Sequence, residues 1–328
     1  MKIYKFIVAL SLLTLTIAGC NAIGSPTPPP IPISVQLNWL HYGFFGGLYA
    51  ADQNGNFAQE GLAVTFIEGG PTVDYITPVL DGTAQFGIAN ADTLIQARAQ
   101  GIPVRAIATI LQRSPLAFGV LVDSGITRPQ DFVGHTIQVT PQIAPVFHVM
   151  MARLGISPDQ YTEIVLPSTI EAFTSGQADV WSMYTNSFAI IVEKAGYKLN
   201  YIYPDDYGIH FYAESLFTSD DLIAKAPDLV PRFVRAALSG YTFAVENPDK
   251  IGLMAVNYNV QLDISICNDQ MTASIPLINT GEDYIGWMKP EIWTGMEATL
   301  REQGVITQPL DVTEVYTMQF LKTIYEGK

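Results

Sequence analysis

The stretch ISVQLNWLHYGFFGGLYAADQNGNFAQEGLAVTFI, Ile33 to Ile67, decides how the rest of the chain is read. It opens on one β-branched run, Ile33–Leu37, and closes on another, Ala63–Ile67, with a helix-compatible segment between them. Strand, helix and strand in succession argue for a mainly parallel α/β sheet. The adjacent glycines Gly46 and Gly47 imply a close approach of the backbone to something. Around them stand the rings of Tyr42, Phe44, Phe45 and Tyr49, which serve either as ordinary core or as a wall against which a ligand lies.

Working outward, the alternation continues. Strand-like runs recur at Gln85–Ala89, Val104–Ile110, Leu116–Val122, Thr136–Val139, Glu163–Leu166 and Ala178–Met183. Asp92 to Gln100 carries Leu94, Ile95 and Ala97 on one side and stops at Gly101, as a helix does. After about Ser219 helical patterns dominate: Leu229, Phe233, Ala237 and Tyr241 recur at every fourth position. A last helix is expected to carry Val312, Tyr316, Phe320 and Ile324 on one stripe.

The N-terminus reads as an export signal. Lys2 and Lys5 precede an apolar run, Phe6–Ala18, shorter than the roughly 20 residues a spanning helix needs. The run ends Ile17-Ala18-Gly19-Cys20, which looks like a bacterial lipobox, with residues 1–19 as signal and Cys20 as the lipidated first residue. Residues 20–32, rich in proline, read as a semi-rigid tether that lifts the body off the membrane. The only other cysteine, Cys267, is expected as a small core residue, so no disulfide holds the fold.

The formal net charge of −14 is spread along the chain with no basic block, which excludes a nucleic-acid partner. No phosphate loop, dinucleotide fingerprint, nucleophile elbow or zinc motif is present, and His41, His135, His148 and His210 are scattered. Neither a metal nor a cofactor is therefore expected.

In open α/β sheets, ligands sit beyond the carboxyl ends of strands. That rule selects residues 38–47, 68–72, 90–93, 140–145 and 184–187, none of which is lysine or arginine. The candidate ligand-binding residues are Trp39, Tyr42, Phe44, Tyr49, Asn90, Asp92, Thr140, Tyr184 and Asn186. Stacking surface with neutral and acidic hydrogen-bonding groups suits a flat, uncharged heteroaromatic solute; an anion would call for a cation or an N–H nest. Two residues keep a second reading. Asp92 equally fits a helix cap, and Tyr49, inside the first helix, equally fits the core.

The ordered runs Leu37-Asn-Trp39, Gly47-Leu-Tyr49-Ala-Ala51, Gly55-Asn-Phe57, Glu60-Gly-Leu62-Ala-Val64, Leu80–Gly87, Gly125–Gly134, Gly176–Asp179 and Gly240–Lys250 resemble the solute-binding proteins of bacterial ABC importers. The resemblance is to the branch that holds thiamine-pyrimidine, riboflavin and alkylsulfonate binders. It implies a type II periplasmic-binding-protein fold of two α/β lobes, with residues 33–120 and 222–328 in one and 121–221 in the other. It also implies a permease and an ATPase as partners, stacking by Trp39, and cleft positions for Asn90 and Tyr184. The chain departs from the pyrimidine binders where they place a glutamate after the strand ending at Tyr184: Asn186 stands near that place and Glu193 lies further along. The cysteine-rich iron site of the eukaryotic pyrimidine synthases is missing.

The expected function is that of a monomeric, lipid-anchored receptor on the extracytoplasmic face of the cell membrane. It would deliver an aromatic vitamin to an ABC importer, with riboflavin as the leading ligand, a thiamine-pyrimidine precursor next and alkylsulfonates third. The rival class, an exported enzyme on the same fold, would have to draw its acid–base group from dispersed His41, His148 or Glu193.

Overall fold

A computed structural model describes residues 28–326 apart from Pro71 and Gln142, so the signal, Cys20 and most of the tether lie outside the described residues. Among the described residues there are ten strands: β1 (Ile31–Gln36), β2 (Leu62–Ile67), β3 (Phe86–Asn90), β4 (Val104–Thr109), β5 (Leu116–Leu121), β6 (Thr136–Gln138), β7 (Thr162–Ile164), β8 (Val180–Tyr184), β9 (Leu199–Ile202) and β10 (Glu214–Ser219). They form two five-stranded sheets, ordered β2-β1-β3-β10-β4 and β7-β6-β8-β5-β9. β1 runs parallel to β2 and β3, whereas β10 runs antiparallel to β3 and β4. The second sheet repeats the plan, with β5 set against β8 and β9. Each sheet is thus mainly parallel with one reversed strand, and helices flank both.

The reversed strands are those the chain enters on crossing from one sheet to the other, through residues 110–115 and 203–213. Sheet membership therefore moves the lobe boundaries from the expected 120/121 and 221/222 to before β5 and before β10. The shift has a physical origin in β10. All six of its residues are buried, among them Glu214, Ser215, Thr218 and Ser219, so no apolar alternation marks the strand. Its hydroxyls are satisfied one by one: Ser215 pairs with Thr109 at 3.0 Å, Thr218 donates to the Gln85 carbonyl, and Ser219 caps the following helix.

Two further expectations change. The tether ends before β1, because Ile31 and Pro32 already pair with Leu62 and Ala63. Pro32 is tolerated there since only β2 flanks the strand at that level. The last helix is shorter than its stripe, Gln319–Tyr325. Val315 and Thr317 instead hydrogen-bond Ala106, so this segment covers the exposed edge of β4.

The close approach promised by the glycines is helix on helix. The helix Gly46–Gln53 packs against Leu229–Glu246, and a Cβ at Gly240 would overlap the Gly47 carbonyl and the Ala51 amide. A Cβ at Gly47 would enter the Tyr241 ring. Below this contact Phe86 stacks on Phe233 at 3.8 Å, with Phe57 on the other side of Phe233 at 5.6 Å. Cys267 is buried and free, as expected of a small core residue.

Candidate functional site

Parallel β1, β2 and β3 end on one edge of the first sheet, and the reversed β10 begins there. That edge collects Trp39, Glu68, Asn90, Asp92 and Glu214, the last paired directly with Asn90 across the ladder. The corresponding edge of the second sheet ends at Thr140 after β6 and at Tyr184–Asn186 after β8. The two edges meet. The Asn90 amide lies beside the Tyr184 hydroxyl. Asn186 Nδ2 donates to Ser274 Oγ at 3.0 Å, and Lys194 Nζ reaches Asp269 at 2.6 Å, both on the helix Ile264–Ile278.

Local chemistry explains why these side chains face the cleft. Asn90 occupies the N-cap position of the helix Ala91–Ala99, where asparagine ordinarily caps, yet its side chain makes no capping bond. Asp92 stands in the first turn of the same helix. The amide of Asn90 is thereby released toward Tyr184, and its Oδ1 is buried without a partner. Asn38 Oδ1, beside Trp39 at the end of the neighbouring strand, is buried and unpartnered too. An orphaned buried acceptor is costly unless something supplies a donor.

The electrostatics are those of a cation-poor, acceptor-rich site. Burial alone pushes Glu214 up to about 8. Burial likewise raises Asp92, and burial with the nearby Asp92 and Glu214 raises the Tyr184 hydroxyl well above its ordinary range. Among the described residues no ion pair includes Asp92 or Glu214; Arg98 and Arg105, the nearest basic groups in sequence to this edge, are both held by Asp220. No group of three or more metal-ligating side chains is present among the described residues. Two surface concavities lie elsewhere, one along Asp249, Asp263 and Asn268, the other at the crossings between Arg113, Asp205 and Lys289.

Of the residues singled out from sequence, Asn90, Asp92 and Tyr184 are brought together, and Asn186 joins them as a contact between the lobes. Trp39 stands at the same edge, 37% exposed. Thr140 is half-buried and its carbonyl starts the helix Ala144–Arg153 by accepting from Ile143 and Ala144. Tyr49 is a correction. It is fully buried, bonded through its hydroxyl to His41 Nδ1 at 2.9 Å and stacked on Tyr258 at 4.5 Å, so it belongs to the core. Phe44 is nearly as buried, wedged between half-buried Tyr42 and Phe45, while Gly43 rests on the Cys267 carbonyl. The expected aromatic wall thus contracts to Trp39 and the edge of Tyr42. Of the dispersed acid–base candidates, Glu193 accepts from Tyr201 and His148 pairs with Glu163, both on the outside, while His41 is buried against Tyr49. Glu214 was missed by sequence reasoning. The only available signal was an acidic residue opening the run ESLFTS.

Three comparisons bear on this arrangement. The riboflavin-binding protein RibY of Chloroflexus aurantiacus is 27% identical, over 94% of this chain and 95% of its own length. The formylaminopyrimidine-binding protein of Halalkalibacterium halodurans is 29% identical, over 97% of this chain and 99% of its own. The periplasmic sulfonate-binding protein SsuA from Methylobacillus flagellatus superposes with a TM-score of 0.70 over 90% of this chain and 94% of its own, at 16% identity, a likeness of periplasmic-binding-protein fold alone. The NMT1/THI5-like family matches residues 44–251, from the aromatic loop through both crossings. With its two sheets, its double crossing and that match, the chain belongs to the NMT1/THI5-like family.

Proposed function

We propose that this chain is the extracytoplasmic receptor of an ABC importer and that it captures a flat nitrogen heterocycle of the thiamine-pyrimidine class. The observation that carries the reading is the cleft edge itself: orphaned Asn90 Oδ1, half-buried Asp92, buried Glu214, and the Tyr184 hydroxyl brought from the other sheet, with no cation among them. Such a lining rejects sulfonates and asks for a ligand rich in N–H donors. The relative named for formylaminopyrimidine supports this choice. Riboflavin is the second reading, favoured by the relative named for it, although the rings that would have walled a three-ring ligand are largely packed in the core.

Function follows from the two crossings. Only when the sheets approach do Asn90 and Tyr184 flank the same solute, so the ligand shifts the population toward the closed form. The permease then reads that form. Lipidation at Cys20 would hold the receptor, acting as a monomer, at the membrane while the tether gives it reach.

Equilibrium dialysis of the mature domain against formylaminopyrimidine, riboflavin and an alkylsulfonate tests the reading. Binding of the pyrimidine, recovered chemically unchanged, is the expected result; turnover would instead place the chain among enzymes. Trp39→Ala is expected to weaken pyrimidine binding about 10-fold through lost stacking.

A further inference from the structure

We propose that a polar clasp joins the two lobes, whether or not a solute is bound. It is made by the stretch Asn186–Lys194 of the second lobe and the helix Ile264–Ile278 of the first. Asn186 is its buried inner contact and Lys194 its salt-sensitive outer one. The clasp does not depend on which solute the cleft takes. It makes Asn186 a positioning residue between the lobes, in place of the ligand contact expected from sequence.

Both partners spring from the first crossing. Gln112 donates its N–H to the Leu277 carbonyl in the last turn of one helix. Thr185 donates its N–H and its hydroxyl to the Pro115 carbonyl, just before the helix Phe188–Lys194. From there the two segments run outward side by side. Asn186 Nδ2 donates to Ser274 Oγ at 3.0 Å, and both residues are buried. At the far end Lys194 Nζ meets Asp269 Oδ2 at 2.6 Å and donates to Ser265 Oγ at 3.0 Å. Asn186 to Lys194 and Ser274 to Ser265 each cover roughly 12 to 14 Å of helical rise, so the two lengths match. A rotation at the crossing therefore parts the outer contact furthest.

The apolar faces of the two helices are used separately. Phe188, Ala189 and Val192 join Phe173, Trp181 and Met183 in a core cluster of the second lobe, whereas Cys267 and Met271 belong to the main core. What joins the helices is thus polar, and polar joints between lobes part readily. The two contacts differ in kind. Ser274 donates its own proton to the Gln270 carbonyl one turn back, which leaves its oxygen to accept from Asn186 away from water. Lys194 and Asp269 instead keep 36% and 47% of their side chains exposed, so salt screens them.

Small-angle scattering of the ligand-free protein tests the clasp. Raising the salt from about 0.02 M to about 0.5 M is expected to enlarge the radius of gyration of wild type. Repulsion within a chain of net charge −14 would give the opposite sign, because salt weakens it. Lys194→Glu, which sets two carboxylates against each other, is expected to enlarge the radius at both salts. Lys194→Glu/Asp269→Lys is expected to return it to the wild-type value, a recovery that a misfolded variant does not show. Asn186→Ala is expected to enlarge the radius while keeping the response to salt. Affinity for formylaminopyrimidine, a solute without net charge, should fall about 3-fold over the same salt range in wild type and stay level in Lys194→Ala. A radius that ignores both salt and the charge reversal overturns the clasp. If the radius responds and the pyrimidine does not bind, the clasp stands and the ligand reading fails.

Discussion

Folding stability is expected to fall as the pH rises from about 4.5 to about 8, by on the order of 4 kcal/mol from Glu214 alone. The unfolded chain releases the Glu214 proton near the ordinary carboxylate value, whereas the folded chain keeps it until about 8. Between those limits the folded state binds the extra proton, so each step up in pH favours unfolding. Below the lower limit both states are protonated and the contribution is fully present; above the upper limit it is lost. Asp92, also raised by burial, acts in the same direction. Urea midpoints measured across this range should decline in wild type and much less in Glu214→Gln, the two curves separating toward alkaline pH. Parallel curves would mean that Glu214 is hydrated or paired in solution.

Gly240→Ala is expected to destabilise the protein by about 3 kcal/mol, although alanine is the better helix former. The new methyl would overlap backbone atoms of Gly47 and Ala51, and backbone cannot step aside as a side-chain tip can. The opposite sign is expected at Gly295, an exposed position in the helix Pro290–Glu302 with nothing within 4 Å of a built Cβ. There alanine should stabilise by about 1 kcal/mol. Thermal unfolding of the two variants beside wild type checks the pair, and equal signs would contradict the packing described between the two helices.

These two positions also show what sequence could and could not tell. The glycines at 46 and 47 correctly announced a close approach, but an approach to Tyr241 and Gly240, nearly two hundred residues away, leaves no local trace. Strands β1 to β8 were legible because apolar or β-branched runs alternate with turn residues. β10 was hidden because it is buried on both faces yet carries hydroxyls, which mimic a loop composition. The strand-end rule selected Asn90, Asp92 and Tyr184, whose positions depend on topology alone. It could not select Glu214, because a reversed strand brings its first residue, rather than its last, to that edge. Tyr49 was ambiguous from its place in a helix, and only its neighbours His41 and Tyr258 decide that it is core.

The most direct test of the account is a fluorescence titration of the mature domain with formylaminopyrimidine. Trp39 is the most exposed of the four tryptophans, while Trp181 and Trp293 are buried. Saturable, one-to-one quenching that disappears in Trp39→Phe is the predicted result, because the indole that stacks on the solute is then replaced. Titration curves that stay flat with the pyrimidine and with riboflavin alike would contradict the reading of this cleft as a receptor for an aromatic vitamin or its precursor.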